Sequence, residues 1–235
     1  MNWDNFSAAL LDLDGVITPT AEVHMAAWAH MFTAFLASKG AGPYQESDYF
    51  NYLDGKPRYD GVRSLLISRG IDLPWGDPTD QPTAETVCGL GNRKDLVFNE
   101  TLSGEGIVAY AGSIRLLDFL DERGIAKAVV SSSKNARGVL TAAGLIDRFP
   151  VIVDGLVAVE RGIPGKPAPD MFQFAADELG VAHPRAVVFE DALSGVRAGA
   201  AGGFGLVVGV DRGTGADRLR EAGAQVVVAE LDELI

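Results

Sequence analysis

The chain has 235 residues, 47% of them apolar, one cysteine and a formal net charge of −12. That length supports one large domain, or a core with a smaller lobe, and the acidic balance argues against nucleic acid or an anionic membrane as partner. Cys88 alone excludes an intrachain disulfide and a cysteine-based metal site. There is no signal-peptide pattern at Met1–Asn5 and no apolar run of membrane-spanning length, so a cytoplasmic protein is expected.

In chain order, the first apolar run is Ala8–Val16, short and continuous, which predicts a buried strand. It carries Asp12 and Asp14, one residue apart. Two carboxylates at the end of a buried strand repel each other and lose hydration unless something offsets both costs, and a divalent cation would do so. From about Pro19 to Leu102 the pattern changes to amphipathic helix at 21–38, 58–69 and 84–102, with a Pro/Asp-rich loop at 73–82 and no convincing strand. β-Branched runs then follow at 126–130, 151–153, 186–189, 205–208 and 225–228. Helical patterns at 113–123, 136–143, 169–179 and 192–201 lie between them. This alternation predicts an α/β fold: a Rossmann-like parallel sheet with helices on both faces, residues 1–18 and 103–235, interrupted by a helical insert over 19–102. Ligands of such sheets bind at the carboxyl ends of the strands, where Asp12, Ser131 and Glu190 each fall.

Four groups of residues carry chemistry. Asp12-Leu13-Asp14-Gly15 offers a carboxylate nucleophile beside a carboxyl able to move a proton, although calcium loops and plain turns use the same pattern. Ser131-Ser132-Ser133-Lys134-Asn135 places hydroxyls at a strand end before a helix, suited to a phosphate or to an ordinary helix cap. Gly165-Lys166-Pro167-Ala168-Pro169 holds a lysine in a stiff segment, to neutralise charge or simply to face solvent. Glu190-Asp191 supplies hard oxygen ligands for Mg²⁺, or acidic residues for the start of a helix.

In this order and at these spacings the four groups resemble the haloacid dehalogenase-like superfamily along essentially the whole chain. The resemblance implies that Asp12 is the nucleophile, Asp14 the acid/base, Ser131 the phosphate-binding hydroxyl and Lys166 the stabilising lysine. It implies Mg²⁺ held by Glu190, Asp191, the Asp12 carboxylate and the Asp14 backbone carbonyl. An aspartate two residues after the nucleophile favours phosphoryl transfer over dehalogenation.

Three segments are similar to the β-phosphoglucomutase-like family within it: 15–28, 131–135 and Gly91-Asn92-Arg93-Lys94. A fourth, Leu53-Asp54-Gly55-Lys56-Pro57-Arg58, resembles the cap segment that bears the arginine for the phosphate not in transfer. The implied substrate contacts are Thr20, His24, Trp28, Gly55, Arg58, Lys94, Ser132, Ser133, Lys134 and Asn135. On the residues alone, Trp28 suits the core of the helical lobe, His24 a satisfied polar site and Arg58 a helix surface. Lys56, Pro57, Pro19 and Ala192 depart from the familiar pattern without removing a proposed catalytic group. The implied activity interconverts β-glucose 1-phosphate and glucose 6-phosphate through an aspartyl phosphate. A Mg²⁺-dependent phosphatase of small phosphate esters is the alternative. The expected partner is a sugar phosphate, with no nucleic acid and no membrane, and the chain is expected to be a monomer.

Overall fold

A computed structural model describes residues 1–105 and 107–235, with 101–105 described by backbone alone. After β1 (Ala8–Leu11) come α1 (Thr20–Ser38), α2 (Glu46–Asp48) leading into a π-helical turn at Tyr49–Leu53, α3 (Arg58–Ser68) and α4 (Val87–Glu105). Then follow α5 (Ala111–Glu122), β2 (Ala126–Val130), α6 (Ala136–Ala142), β3 (Val151–Val153), α7 (Gly155–Arg161) and α8 (Asp170–Glu178). The chain continues through β4 (Ala186–Glu190), α9 (Leu193–Ala201), β5 (Leu206–Val210), α10 (Ala216–Ala222) and β6 (Val226–Val228).

The six strands form one parallel sheet in the order β3-β2-β1-β4-β5-β6. β1 lies between β2 and β4, with Leu11 opposite both Val129 and Phe189. All four of its residues are buried, because a central parallel strand is covered on both faces and can use only apolar side chains. The strand order reverses between β1 and β4, which is where an open α/β sheet leaves a crevice beyond its strand ends. Asp12 follows β1, Ser131 follows β2, and Glu190 closes β4. The Asp12 N–H continues the ladder to the Phe189 carbonyl at 3.0 Å, and the Ser131 N–H to that of Val153 at 2.9 Å. Below this edge Leu10, Val130, Phe172, Val188 and Val196 pack into one buried cluster.

The chain divides into two compact units, Met1–Thr20 with Ile107–Ile235, and Ala21–Gly106. In the second unit, Trp28, Phe32 and Phe35 recur at helical spacing on α1 and pack with Met31, Leu65 and Leu90 into a separate core. The borders differ from those read in the sequence. Thr20 stays with the sheet because its hydroxyl bonds Asp14, and residue 102 falls inside α4, which runs on to Glu105. The first strand is also shorter than the apolar run. After Leu11 the backbone leaves the ladder, and the Gly15 N–H turns back to the Thr18 carbonyl at 2.8 Å. Among the described residues no helix is long and apolar enough to cross a membrane.

Candidate active site

Asp12 is 7% exposed at the tip of β1. Lys166 reaches it from the segment before α8, with a wholly buried side chain. Its Nζ donates to Asp12 Oδ1 at 2.5 Å, Glu190 Oε1 at 2.6 Å and the Val130 carbonyl at 2.9 Å, so all three ammonium protons have an acceptor. The lysine is therefore buried and bonded rather than solvated. Burial weakens its hold on the proton, but the Asp12 and Glu190 carboxylates outweigh that and keep it charged. Burial also pushes the Asp12 carboxyl well up; Lys166 opposes the shift, while Glu190 and Asp14 add to it. The centre thus holds more negative charge than one ammonium offsets.

Glu190 is committed to the protein. Oε1 accepts from Lys166 and Oε2 from the Ala192 N–H at 2.9 Å. Gly195, in the first turn of α9, makes room for it: a Cβ there would overlap Oε1 and lie 2.6 Å from Oε2. Asp191 packs against Gly15 in a similar way, and Gly15 has φ +81°, which glycine adopts without strain.

Among the described residues no three Asp, Glu, His or Cys side chains converge at metal-ligand spacing. Of the expected set, the Asp12, Glu190 and Asp191 carboxylates with the Asp14 backbone carbonyl, Glu190 is the member turned away, because both its oxygens are held by Lys166 and the backbone. The remaining donors still suit a hard divalent cation. Asp12 Oδ2 receives no hydrogen bond among the described residues, Asp191 is acidic and 6% exposed, and the local charge is in deficit of a cation.

Asp14 sits in the turn that follows. Thr20 Oγ1 donates to its Oδ1, and Thr20 shares a 2.8 Å hydrogen bond with the Thr18 hydroxyl. In the loop after β2, Ser131 is 1% exposed and its Oγ accepts the Ser133 N–H at 3.1 Å. Ser133 Oγ accepts the Asn135 N–H at 3.1 Å. Asn135 stands at the start of α6 but its side chain makes no capping bond, so the helix-cap reading does not hold for it. Gly155 fixes the loop from the β3 side: its N–H bonds the Ser133 carbonyl at 3.1 Å, and a Cβ there would crowd the Ser132 carbonyl and Lys134.

The cap residues named from the sequence lie within the Ala21–Gly106 unit. Lys94, 2% exposed, pairs with His24 Nδ1 and lies 4.5 Å from the Phe98 ring centre and 5.1 Å from that of Trp28. His24 stacks on Phe98 at 4.1 Å. Trp28 is 5% exposed and stacks on Phe32, which makes it part of that unit's core rather than an open sugar-facing ring. Arg58 begins α3 and forms a 2.6 Å ion pair with Asp95, so it is not a plain surface residue. Gly55 occupies the turn before α3 with φ +66°. Sequence reasoning missed Gly195, whose signal was its place five residues after Glu190. It also missed Arg212 and Thr214, in the polar Asp211-Arg212-Gly213-Thr214-Gly215 segment that closes β5.

A parallel sheet with an acidic centre bracketed by a buried lysine at its reversal point defines an α/β protein built for chemistry on an anionic group. The chain belongs to the haloacid dehalogenase-like hydrolases, whose family model matches residues 6–203. It is 50% identical to a β-phosphoglucomutase of Mycobacterium tuberculosis, over 97% of this chain and 91% of that protein. It is 33% identical to the Bacillus subtilis β-phosphoglucomutase, again over 97% and 91%. A crystal structure of the Clostridium difficile β-phosphoglucomutase superposes with a TM-score of 0.78 at 24% identity, covering 98% of this chain and 93% of that one.

Proposed function

We propose that the chain is a Mg²⁺-dependent phosphomutase that interconverts β-glucose 1-phosphate and glucose 6-phosphate through an aspartyl phosphate. The observation that carries the chemistry is the Lys166 bracket. With Nζ held on Asp12 Oδ1 at 2.5 Å and Glu190 Oε1 at 2.6 Å, the Asp12 carboxylate is fixed in place at the strand end for attack. The choice of mutase over other phosphoryl transfer is supported by the 50% identity to the mycobacterial enzyme.

In the first half-reaction a hydroxyl of the sugar monophosphate gives its proton to Asp14 and takes the phosphoryl group from the aspartyl phosphate, which forms the bisphosphate and restores the Asp12 carboxylate. The bisphosphate turns around, the Asp12 carboxylate attacks phosphorus of the other phosphate, the bond to the sugar oxygen breaks, and Asp14 gives that oxygen its proton, which releases the isomeric monophosphate and regenerates the aspartyl phosphate. Between turnovers water must be kept from the acyl phosphate. Lys166 and the Ser131 hydroxyl balance charge on the moving group. The Asp12 and Asp191 carboxylates with the Asp14 carbonyl would hold Mg²⁺, with Glu190 acting through Lys166. When bound, the ion would lower the repulsion between the nucleophile and the anionic substrate.

We assign the choice of substrate to the inserted unit, which serves as the cap. Arg58, released from or shared with Asp95, would grip the phosphate that is not being transferred. His24, Lys94, Gly55 and Thr20, with the Ser132-Ser133-Lys134-Asn135 loop, complete the substrate contacts. Trp28 would act by packing Lys94. The reading carries with it a cytoplasmic monomer whose partner is a sugar phosphate alone. It is tested by supplying β-glucose 1-phosphate and Mg²⁺ with and without glucose 1,6-bisphosphate. Glucose 6-phosphate formed faster with the bisphosphate is expected. Inorganic phosphate as the dominant product, with no glucose 6-phosphate, would make the enzyme a phosphatase.

A further inference from the structure

Arg212, in the loop after β5, takes no part in the chemistry above, yet its guanidinium is fixed on three sides. Nε donates to the Gly15 carbonyl at 2.9 Å, in the turn that carries Asp12 and Asp14. Nη1 and Nη2 fork onto Glu230 at 2.8 and 3.3 Å. The guanidinium carbon lies 3.9 Å from the centre of the Tyr110 ring, and the Tyr110 N–H bonds the Ile17 carbonyl at 3.0 Å. Two residues on, the buried Thr214 donates its hydroxyl to the Asp191 carbonyl at 3.1 Å. The loop that supplies both contacts is itself shaped by Asp211, whose Oδ1 accepts the N–H groups of Gly213 and Gly215 at 3.0 Å each.

We propose that the loop after β5 is a brace that sets the spacing between the Asp12–Gly15 turn and Asp191, with Arg212 as its positioning residue. The acceptors are what argue for this. Both are main-chain carbonyls, one of Gly15, the residue after Asp14, and the other of Asp191, so the brace holds the backbone and leaves the working carboxylates to their own partners. The planar fork of arginine satisfies Gly15 and Glu230 at once and stacks on Tyr110; a lysine ammonium reaches one or the other without the stack. The turn and Asp191 come from β1 and β4, whose pairing ends just below them, so side chains must finish what the ladder leaves open.

The kinetic arm of the test rests on the phosphoryl-transfer reading, and its binding arm does not. Arg212→Lys, Arg212→Ala and Thr214→Val are compared with the native protein by Mg²⁺ calorimetry, thermal melting, and kcat and KM for β-glucose 1-phosphate. Displacing the reacting groups by a fraction of an ångström should lower kcat of Arg212→Lys by about tenfold or more, with KM within about threefold. Its melting temperature should stay near native, and Mg²⁺ should bind several-fold more weakly to it and to Thr214→Val. If Arg212→Ala fails to fold, Arg212→Lys decides. Native kcat and native Mg²⁺ affinity in Arg212→Lys and Thr214→Val would overturn the brace and leave the Arg212–Glu230 pair a matter of stability alone. A native protein without turnover, whose Mg²⁺ affinity nevertheless depends on Arg212, would sink the functional reading and support the brace.

Discussion

Gly195→Ala separates helix chemistry from site geometry. In the interior of an exposed helix, alanine is better than glycine by about 1 kcal/mol. Gly138 in α6, with nothing within 4 Å of a Cβ built there, should show that gain on Gly138→Ala. At Gly195 the new Cβ overlaps Glu190 Oε1 and lies 2.6 Å from Oε2, so the carboxylate must move. Moving it strains or breaks the bonds to Lys166 Nζ at 2.6 Å and the Ala192 N–H at 2.9 Å. A charge-assisted hydrogen bond contributes about 1.5–3 kcal/mol, so losing one or two outweighs the helix gain and leaves a net loss of about 0.5–5 kcal/mol. For a chain of this size that lowers the melting temperature by roughly 1–20 °C. Lys166 loses its second anchor, and kcat should fall about 10- to 100-fold. The assay pairs a thermal melt with β-glucose 1-phosphate turnover for both alanine variants. A Gly195→Ala protein as stable and as active as Gly138→Ala would refute the reasoning, because Glu190 would then not be holding Lys166.

Other substitutions probe neighbouring parts of the site. Lys166→Ala leaves Asp12 and Glu190 as buried carboxylates with their shared cation removed. It should cost about 3–5 kcal/mol in denaturant unfolding, and turnover should fall at least about a hundredfold. Thr20→Val keeps the shape but removes the donor to Asp14. Its kcat should drop about fivefold for a net hydrogen bond near 1 kcal/mol, at little change in melting temperature. Arg58→Ala should lower kcat/KM for β-glucose 1-phosphate about a hundredfold, the equivalent of roughly 2.7 kcal/mol of lost phosphate binding, while hydrolysis of a small monophosphate ester is retained.

The sheet was legible because five of its strands announce themselves as short β-branched runs, and the sixth, β1, by its buried apolar stretch before Asp12. α7 was not, since Leu156-Val157-Ala158-Val159 follows β3 almost at once and mimics a strand. The helix forms because Asp154 Oδ1 caps it, accepting the N–H groups of Leu156 and Val157 at 3.0 and 2.9 Å. α10 and the π-helical turn at Tyr49–Leu53 were hidden by short length and mixed polarity.

In the site, Asp12, Ser131 and Glu190 were readable from where the strands stop, and Lys166 from its proline-stiffened segment before α8. Their division of labour was not. Whether Glu190 faces a metal or a lysine depends on room made by Gly195 in the next helix, and the sequence shows only a glycine five residues after Glu190, not the contact it permits. Arg212 was invisible for the same reason: its acceptor, Gly15, lies 197 residues away. The fate of Trp28 was a matter of which face α1 buries, and its aromatic spacing pointed correctly to the core.

The central claim is that Asp12, held by Lys166, carries the phosphoryl group. Acid quenching of native protein mixed with β-glucose 1,6-bisphosphate and Mg²⁺, followed by peptide mass spectrometry, tests it directly. A phosphoryl adduct on Asp12 that is absent from Asp12→Asn, together with loss of turnover in that variant, is the predicted result. Undiminished turnover in Asp12→Asn, or an adduct confined to another residue, would contradict it.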